Sequence, residues 1–259
     1  MTEKELRDIR NWFENYVETF VTGDLESVPV LSNKKDHSLQ VAGTCRVLAE
    51  DLTWTEPEAH TAEALGLLHD IGRFSQYIEY GTFIDIDSIN HCERGYEIVS
   101  AAPQLNHLPG RSRQIILDGI RYHSSKEFMA KVSRESIPYV HLIRDADKLD
   151  KFRVLKESIE GNPNRGMYDT TLSIQTDGPV NPTILDKIRR KKSISKKEIN
   201  SLLDYYLFQL SHVFEIHYKP TYKRMLGYGT LEIITGIMPD EKGVTDALNT
   251  IANFLKNHA

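Results

Sequence analysis

His69-Asp70 ends the apolar run Ala64-Leu65-Gly66-Leu67-Leu68, and Gly72 follows two residues later. The run reads as a buried helix with Gly72 as its left-handed C-cap. An imidazole and a carboxylate in the last turn of such a helix are two good metal ligands at the rim of a core. A buried carboxylate beside Leu67, Leu68 and Ile71 needs a positive partner, and a metal ion supplies one. More ligands follow in chain order: His37 before the pair, then His91, His123 and Asp147 after it. Imidazole and carboxylate donors suit Fe, Mn, Co, Ni or Zn, with Mg also allowed, and sulfur donors are expected to be missing. One His on an apolar helix is more often a satisfied core residue. An ordered set of this kind, each member beside core-forming residues, is hard to explain without metal.

The pieces Asp36-His37-Ser38, His69-Asp70-Ile71-Gly72-Arg73-Phe74, Ile89-Asn90-His91, Ile120-Arg121-Tyr122-His123 and Asp145-Ala146-Asp147-Lys148-Leu149-Asp150 resemble the HD-domain superfamily of metal-dependent phosphohydrolases. The resemblance implies an all-α helical bundle in which His37, His69, Asp70 and Asp147 hold a metal. The extra His91 and His123 resemble the subset with two metals, so one or two divalent ions per chain are expected. The resemblance also aligns Asp147-Lys148 with the family's terminal Asp and the residue after it. On a helix Asp145 and Asp147 point about 200° apart, so only one can face the site. Asp145 is then structural or capping, while Asp150 shares the face of Asp147.

Such a site would hydrolyse a phosphoester of a nucleotide or related small phosphorylated metabolite. Metal-activated hydroxide would attack phosphorus in line, with Asp70 bridging the ions. Arg73 and Lys148 each lie close in sequence to a proposed ligand. They are the expected catalytic and substrate-binding cations, because phosphate oxygens take charge-assisted hydrogen bonds. Salt bridging of these two to Asp70 or Asp150 is the competing reading, and Lys126 and Arg144 are weaker candidates. No Ser or Cys is expected in an activated arrangement. The six-ligand pattern also admits two alternatives: a di-iron oxygenase cleaving C–H or C–P bonds, and a nucleotide-sensing module without turnover. The other histidines (His60, His107, His141, His212, His217 and His258) have no partner pattern.

Several elements must position these groups. Leu6, Ile9, Phe13, Tyr16, Val17 and Phe20 recur at spacings of three and four, which predicts an amphipathic helix over residues 3–21. A second helix carries Leu39, Val41, Val47 and Leu48, with His37 at its start. Thr55 and Pro57 open a third, since Pro is tolerated in the first turn. A loop is predicted over 72–87, then a helix capped by Ser88 that carries His91. Two more helices are predicted over 111–123 and about 134–157. The pattern breaks between about 161 and 183, where turn chemistry and a short hairpin at 171–174 are expected. Helices resume near 194–216, 219–227 and 240–257. This divides the chain into an HD core at 1–160 and a loop and helical extension at 161–259, expected to pack on the core.

The whole composition fits this picture. The chain has 259 residues, 40% hydrophobic and 27% charged, enough for one large core or a core with a subdomain. A net charge of −5 gives no global drive toward nucleic acid or an anionic membrane. The basic run at 187–197 lacks the interleaved aromatics of a single-strand binding platform, so it reads as a solvated face or a rim for a polyanion. No apolar run reaches the ~20 residues that span a bilayer, and the charged start carries no apolar signal core. Only Cys45 and Cys92 are present, neither in a CxxC or CxxH arrangement. That argues against a disulfide framework or a thiolate zinc site and for a cytoplasmic setting. Oligomeric state is not legible.

Overall fold

The computed structural model describes residues 1–22, 27–161 and 178–259. The described residues are helical, with no strand among their elements. The predicted hairpin at 171–174 and the turns at 162–164 and 176–177 lie outside them. Two compact units divide the chain, Met1–Asp150 and Lys151–Ala259.

In the first unit, α1 (Glu3–Val21) starts at a reciprocal cap. The Thr2 hydroxyl accepts from the Glu5 amide, and the Glu5 carboxylate accepts from the Thr2 amide. Its buried face is Leu6, Ile9, Phe13 and Val17, the spacing read from the sequence. α2 (Val28–Asp51) begins earlier than the sequence suggests, which puts His37 in its middle rather than at its start. The polar stretch Asn33-Lys34-Lys35-Asp36 looks like a helix entry, yet Lys34 and His37 are both buried. α3 (Glu56–Leu68) opens on the Thr55–Glu58 capping box with Pro57 in its first turn. From Thr61 to Leu68 every residue is buried, so this helix is the unit's central rod.

Two expectations fail around Gly72. The segment after it is not a loop, because α4 (Gly72–Tyr80) starts there. Nor is Gly72 a left-handed cap; the left-handed residue is Gly81, which ends α4 at φ 67°. Gly72 is required by space instead. A Cβ placed on it would lie 2.2 Å from the His91 carbonyl oxygen and 2.7 Å from the Gly95 nitrogen. The glycine therefore lets α4 touch α5 (His91–Ala101) backbone to backbone, which brings His91 to the end of α3. Asn90, not Ser88, caps α5, accepting from the Cys92 and Glu93 amides. The unit is completed by α6 (Gly110–Tyr122) and by the first part of α7 (Ile137–Ile159).

The second unit contains α8 (Pro182–Arg189), α9 (Leu202–Ser211), α10 (Lys219–Tyr228), α11 (Thr230–Ile237) and α12 (Lys242–His258). α8 and α11 escape sequence patterning because each is only eight residues long. α12 buries Val244, Ala247, Leu248, Ile251 and Leu255, a helical stripe. In the basic run, Lys187 pairs with Glu198 at 2.5 Å and Arg190 with Asp186 at 3.1 Å. Part of that positive charge is thus neutralised locally.

Candidate metal centre

Asp70 lies at the centre of the first unit's polar cluster. It follows His69 at the C-terminal end of α3, and both are buried. The two carboxylate oxygens face different partners. Oδ2 is 3.4 Å from His69 Nε2 and 3.7 Å from His37 Nε2. His37 Nε2 is in turn 3.3 Å from Asp147 Oδ1 on α7. Oδ1 is 3.4 Å from His91 Nε2 and 3.6 Å from His123 Nε2, which are themselves 3.3 Å apart. The fold therefore brings His37, His69, Asp70, His91, His123 and Asp147 together from α2, α3, α5, α7 and the end of α6. Asp70 divides them into two groups.

The histidine rings are held in one sense. His69 Nδ1 donates to the Gly66 carbonyl at 2.7 Å, and His123 Nδ1 to the Ile120 carbonyl at 2.9 Å. A carbonyl only accepts, so these Nδ1 atoms carry a hydrogen and the Nε2 atoms are the ones turned inward. His37 Nδ1 meets Asp150 Oδ2 at 2.7 Å, and His91 Nδ1 meets Asp85 Oδ2 at 2.7 Å. This is the arrangement by which outer acceptors orient metal-ligating imidazoles. His69 Nε2 is buried with no hydrogen-bond partner. An orphaned nitrogen of that kind costs free energy unless something binds it.

Electrostatics agree with a cation-seeking centre. Burial would raise the Asp70 carboxyl, but Lys34, His69 and His123 hold it well below the usual carboxylate value. Burial lowers His69, keeping its ring neutral and its lone pair available. For Asp85 burial opposes ionisation, while His91, Arg73 and Gln76 together hold the carboxyl down to about 2.

Three residues escape sequence reasoning. Lys34 forms a buried ion pair with Asp70 Oδ2. It precedes His37 by three residues, so i,i+3 spacing on a helix is the available signal. Asp85 falls in a segment that reads as loop. Cys92 is the third: a sulfur lies beside His91 and His123, where no sulfur donor is expected from the sequence. Its Sγ lies 3.3 Å from His91 Nε2, 3.9 Å from His123 Nε2 and 3.1 Å from Ser124 Oγ. Burial opposes charge on both groups, yet Cys92 is held down to about 5 and His123 pushed up to about 10, largely by their mutual attraction.

The expected cations are differently placed. Arg73 lies 3.7 Å from Asp70 Oδ1, but its Nη1 donates to Asp85 Oδ1 at 2.7 Å, the Phe83 carbonyl at 2.5 Å and Gln76 Oε1 at 2.9 Å. It braces the carboxylate that orients His91. Lys148 is buried and its Nζ donates to the Arg144 carbonyl at 3.3 Å. Arg144 itself clasps the His123 and Ser125 carbonyls at 2.6 and 2.8 Å. Asp145 is fully buried, whereas Asp147 retains some exposure beside His37.

Residues 35–151 match the family model of the HD domain. The chain carries an HD domain. His37, His69, Asp70, His91, His123 and Asp147 all fall inside the matched segment. No curated protein and no solved structure matches the chain. Two groups in the HD domain have ligand atoms close enough to share an ion: His37, His69 and Asp70, and His91, Cys92 and His123. No helix among the described residues is long and apolar enough to cross a membrane.

Proposed function

We propose that this HD domain is a metal-dependent phosphohydrolase acting on a phosphoester of a nucleotide or a related small phosphorylated metabolite. HD domains are mostly metal-dependent hydrolases, and the donor set here fits a divalent transition ion. The observation that carries the reading is the set of four imidazoles whose Nδ1 atoms are all engaged outward while their Nε2 atoms surround Asp70. A divalent ion at this centre supplies Lewis acidity toward a phosphoryl oxygen and activation of water near neutral pH.

The chain's own residues do the rest. Asp70 is ionised at neutral pH and offers one oxygen to each group of ligands. His37, His69 and Asp147 form one group, and His91 and His123 form the other. Asp150 and Asp85 fix the rings of His37 and His91. Lys34 adds a buried positive charge beside Asp70 that can bind a phosphate oxygen. Lys148 is proposed for the same task, and Arg73 for a mainly positioning role through Asp85.

A phosphate-release screen tests this on the full chain loaded with Mn, Co, Fe or Zn, across nucleotides, phosphomonoesters and phosphodiesters. Release that disappears in Asp70→Ala is the expected result. Oxygen-dependent turnover without phosphate release would replace this reading with the oxygenase one. Tight nucleotide binding by a metal-loaded but inert protein would replace it with a sensor.

A further inference from the structure

The basic run at 187–197 has no part in the chemistry proposed above, and along the chain it lacks aromatic neighbours. The fold of the second unit supplies them. We propose that the ends of α8 and α12 form a surface for single-stranded nucleic acid, with lysines on the phosphates and a base on His258. Lys191 is where charge and rings meet. Its Nζ lies 5.1 Å from the Phe254 ring centroid. Phe254 stacks on His258, with centroids 4.0 Å apart and planes 27° apart. His258 is exposed, and its Nδ1 donates to the Phe254 carbonyl at 2.7 Å, which fixes the imidazole plane. A fixed, exposed ring beside cations is what base stacking on a single strand requires.

The backbone gives an independent sign. At the end of α8 the Lys192 amide donates to the Lys187 carbonyl at 2.8 Å, and the Lys191 amide to the Ile188 carbonyl at 2.9 Å. This pair of bonds closes a helix around a left-handed residue, which is usually glycine. Here that residue is Lys191, at φ 54°. A β-carbon is strained in this conformation, and strain of this kind points to a task for the side chain that bears it. The conformation sets Lys191 over Phe254.

Charge decides the class of ligand. Seven Lys and Arg lie between 187 and 197, and the acids bonded to this stretch are Asp186, Glu198 and Glu215. A positive excess of four remains, although the whole chain carries −5. That local field attracts a polyanion. The ring on His258 asks for an unpaired base, which a duplex does not offer. An anionic membrane fits less well, because no large apolar side chain of α8 or α12 is exposed to anchor in it.

Fluorescence anisotropy of a labelled single-stranded DNA 12-mer against the full chain, titrated at several salt concentrations, tests this. The logarithm of the binding constant should fall with the logarithm of salt at a slope of about −3, the value for roughly four phosphates on a single strand. His258→Ala should weaken binding by roughly 10-fold through loss of one stacked base. Lys191→Gly should weaken binding and flatten the slope by about 0.7. It should do so without lowering the melting temperature, since glycine suits the left-handed turn. Asp70→Ala should bind the strand as the native chain does. No binding at low salt overturns the inference, as does a duplex or inorganic polyphosphate that binds as tightly as the single strand. Binding to phosphatidylserine vesicles without binding to the 12-mer replaces it with a membrane surface. Binding that is lost in Asp70→Ala moves the strand to the metal centre and overturns it too. None of these failures touches the phosphohydrolase reading, which the phosphate-release screen decides separately.

Discussion

Asp70 and the residues touching it set the behaviour of the centre. Asp147 stands 3.3 Å from His37 Nε2, while Asp145 is wholly buried two residues before it. Asp147→Asn should cost far more metal affinity than Asp145→Asn, because an amide is a poor ligand and gives no charge compensation. Isothermal titration of both variants with Mn or Co checks the ranking, and the reverse order would put the wrong carboxylate at the site. Asp85→Asn should weaken metal binding by about 10- to 100-fold, the usual effect of losing an acceptor that orients a ligating histidine. Arg73 holds that same Asp85, so Arg73→Met should lower metal content as well as activity. Lys148→Met should instead leave metal content intact and reduce catalytic efficiency by about 10- to 100-fold, the value of one charge-assisted phosphate contact. Metal analysis beside kinetics separates the two. Lys34 behaves differently again. Removing it from the metal-free protein leaves Asp70 short of a buried partner, which costs about 3–5 kcal/mol for a broken buried pair. Lys34→Met should therefore melt earlier without metal and recover on loading, by thermal denaturation with and without the ion.

Helices position these side chains through a few close approaches. α4 and α5 touch at Gly72, where a Cβ would meet the His91 carbonyl. Gly72→Ala should destabilise the fold by about 1–3 kcal/mol, the range for forced overpacking, and shift His91 away from Asp70. Gly81→Ala meets open space and costs only the left-handed backbone term of about 1–2 kcal/mol, with metal binding unchanged. Calorimetry and metal titration on the pair distinguish packing from strain. Elsewhere in the first unit, Trp54 after α2 packs on Tyr139 of α7 with ring centroids 4.7 Å apart. Burial holds the Tyr139 phenol up to about 12, above its ordinary 10. A raised phenol favours the neutral folded form. Its contribution is complete below pH 10 and fades as pH rises toward 12. Denaturation midpoints across that range should fall in the native chain and fall less in Tyr139→Phe.

Across the whole molecule, the parts legible in the sequence are those with local periodicity or chain order. The stripe Leu6, Ile9, Phe13, Val17 defines α1 at its observed bounds. The order of His37, His69, Asp70, His91, His123 and Asp147 is visible because each falls in a short piece that resembles the HD pattern in the same chain order. Illegible parts depend on how elements meet. Gly72 reads as a cap because a glycine after a helix usually is one, whereas here its small size matters. Cys92 reads as inert because its histidine partners come from its own helix and from the end of α6, not from a CxxC spacing. Lys34 draws no attention because its neighbours Asn33, Lys35 and Asp36 are polar. α8 and α11, at eight residues each, are too short for a periodic signal. The central claim is that Asp70 joins two groups of ligands into one metal centre. Elemental analysis of the full chain and its Asp70→Ala variant, each loaded and desalted under the same conditions, tests it most directly. Two divalent ions per chain, falling to near zero in the variant with helical content preserved, is the predicted result. A variant that keeps the full metal content would contradict it.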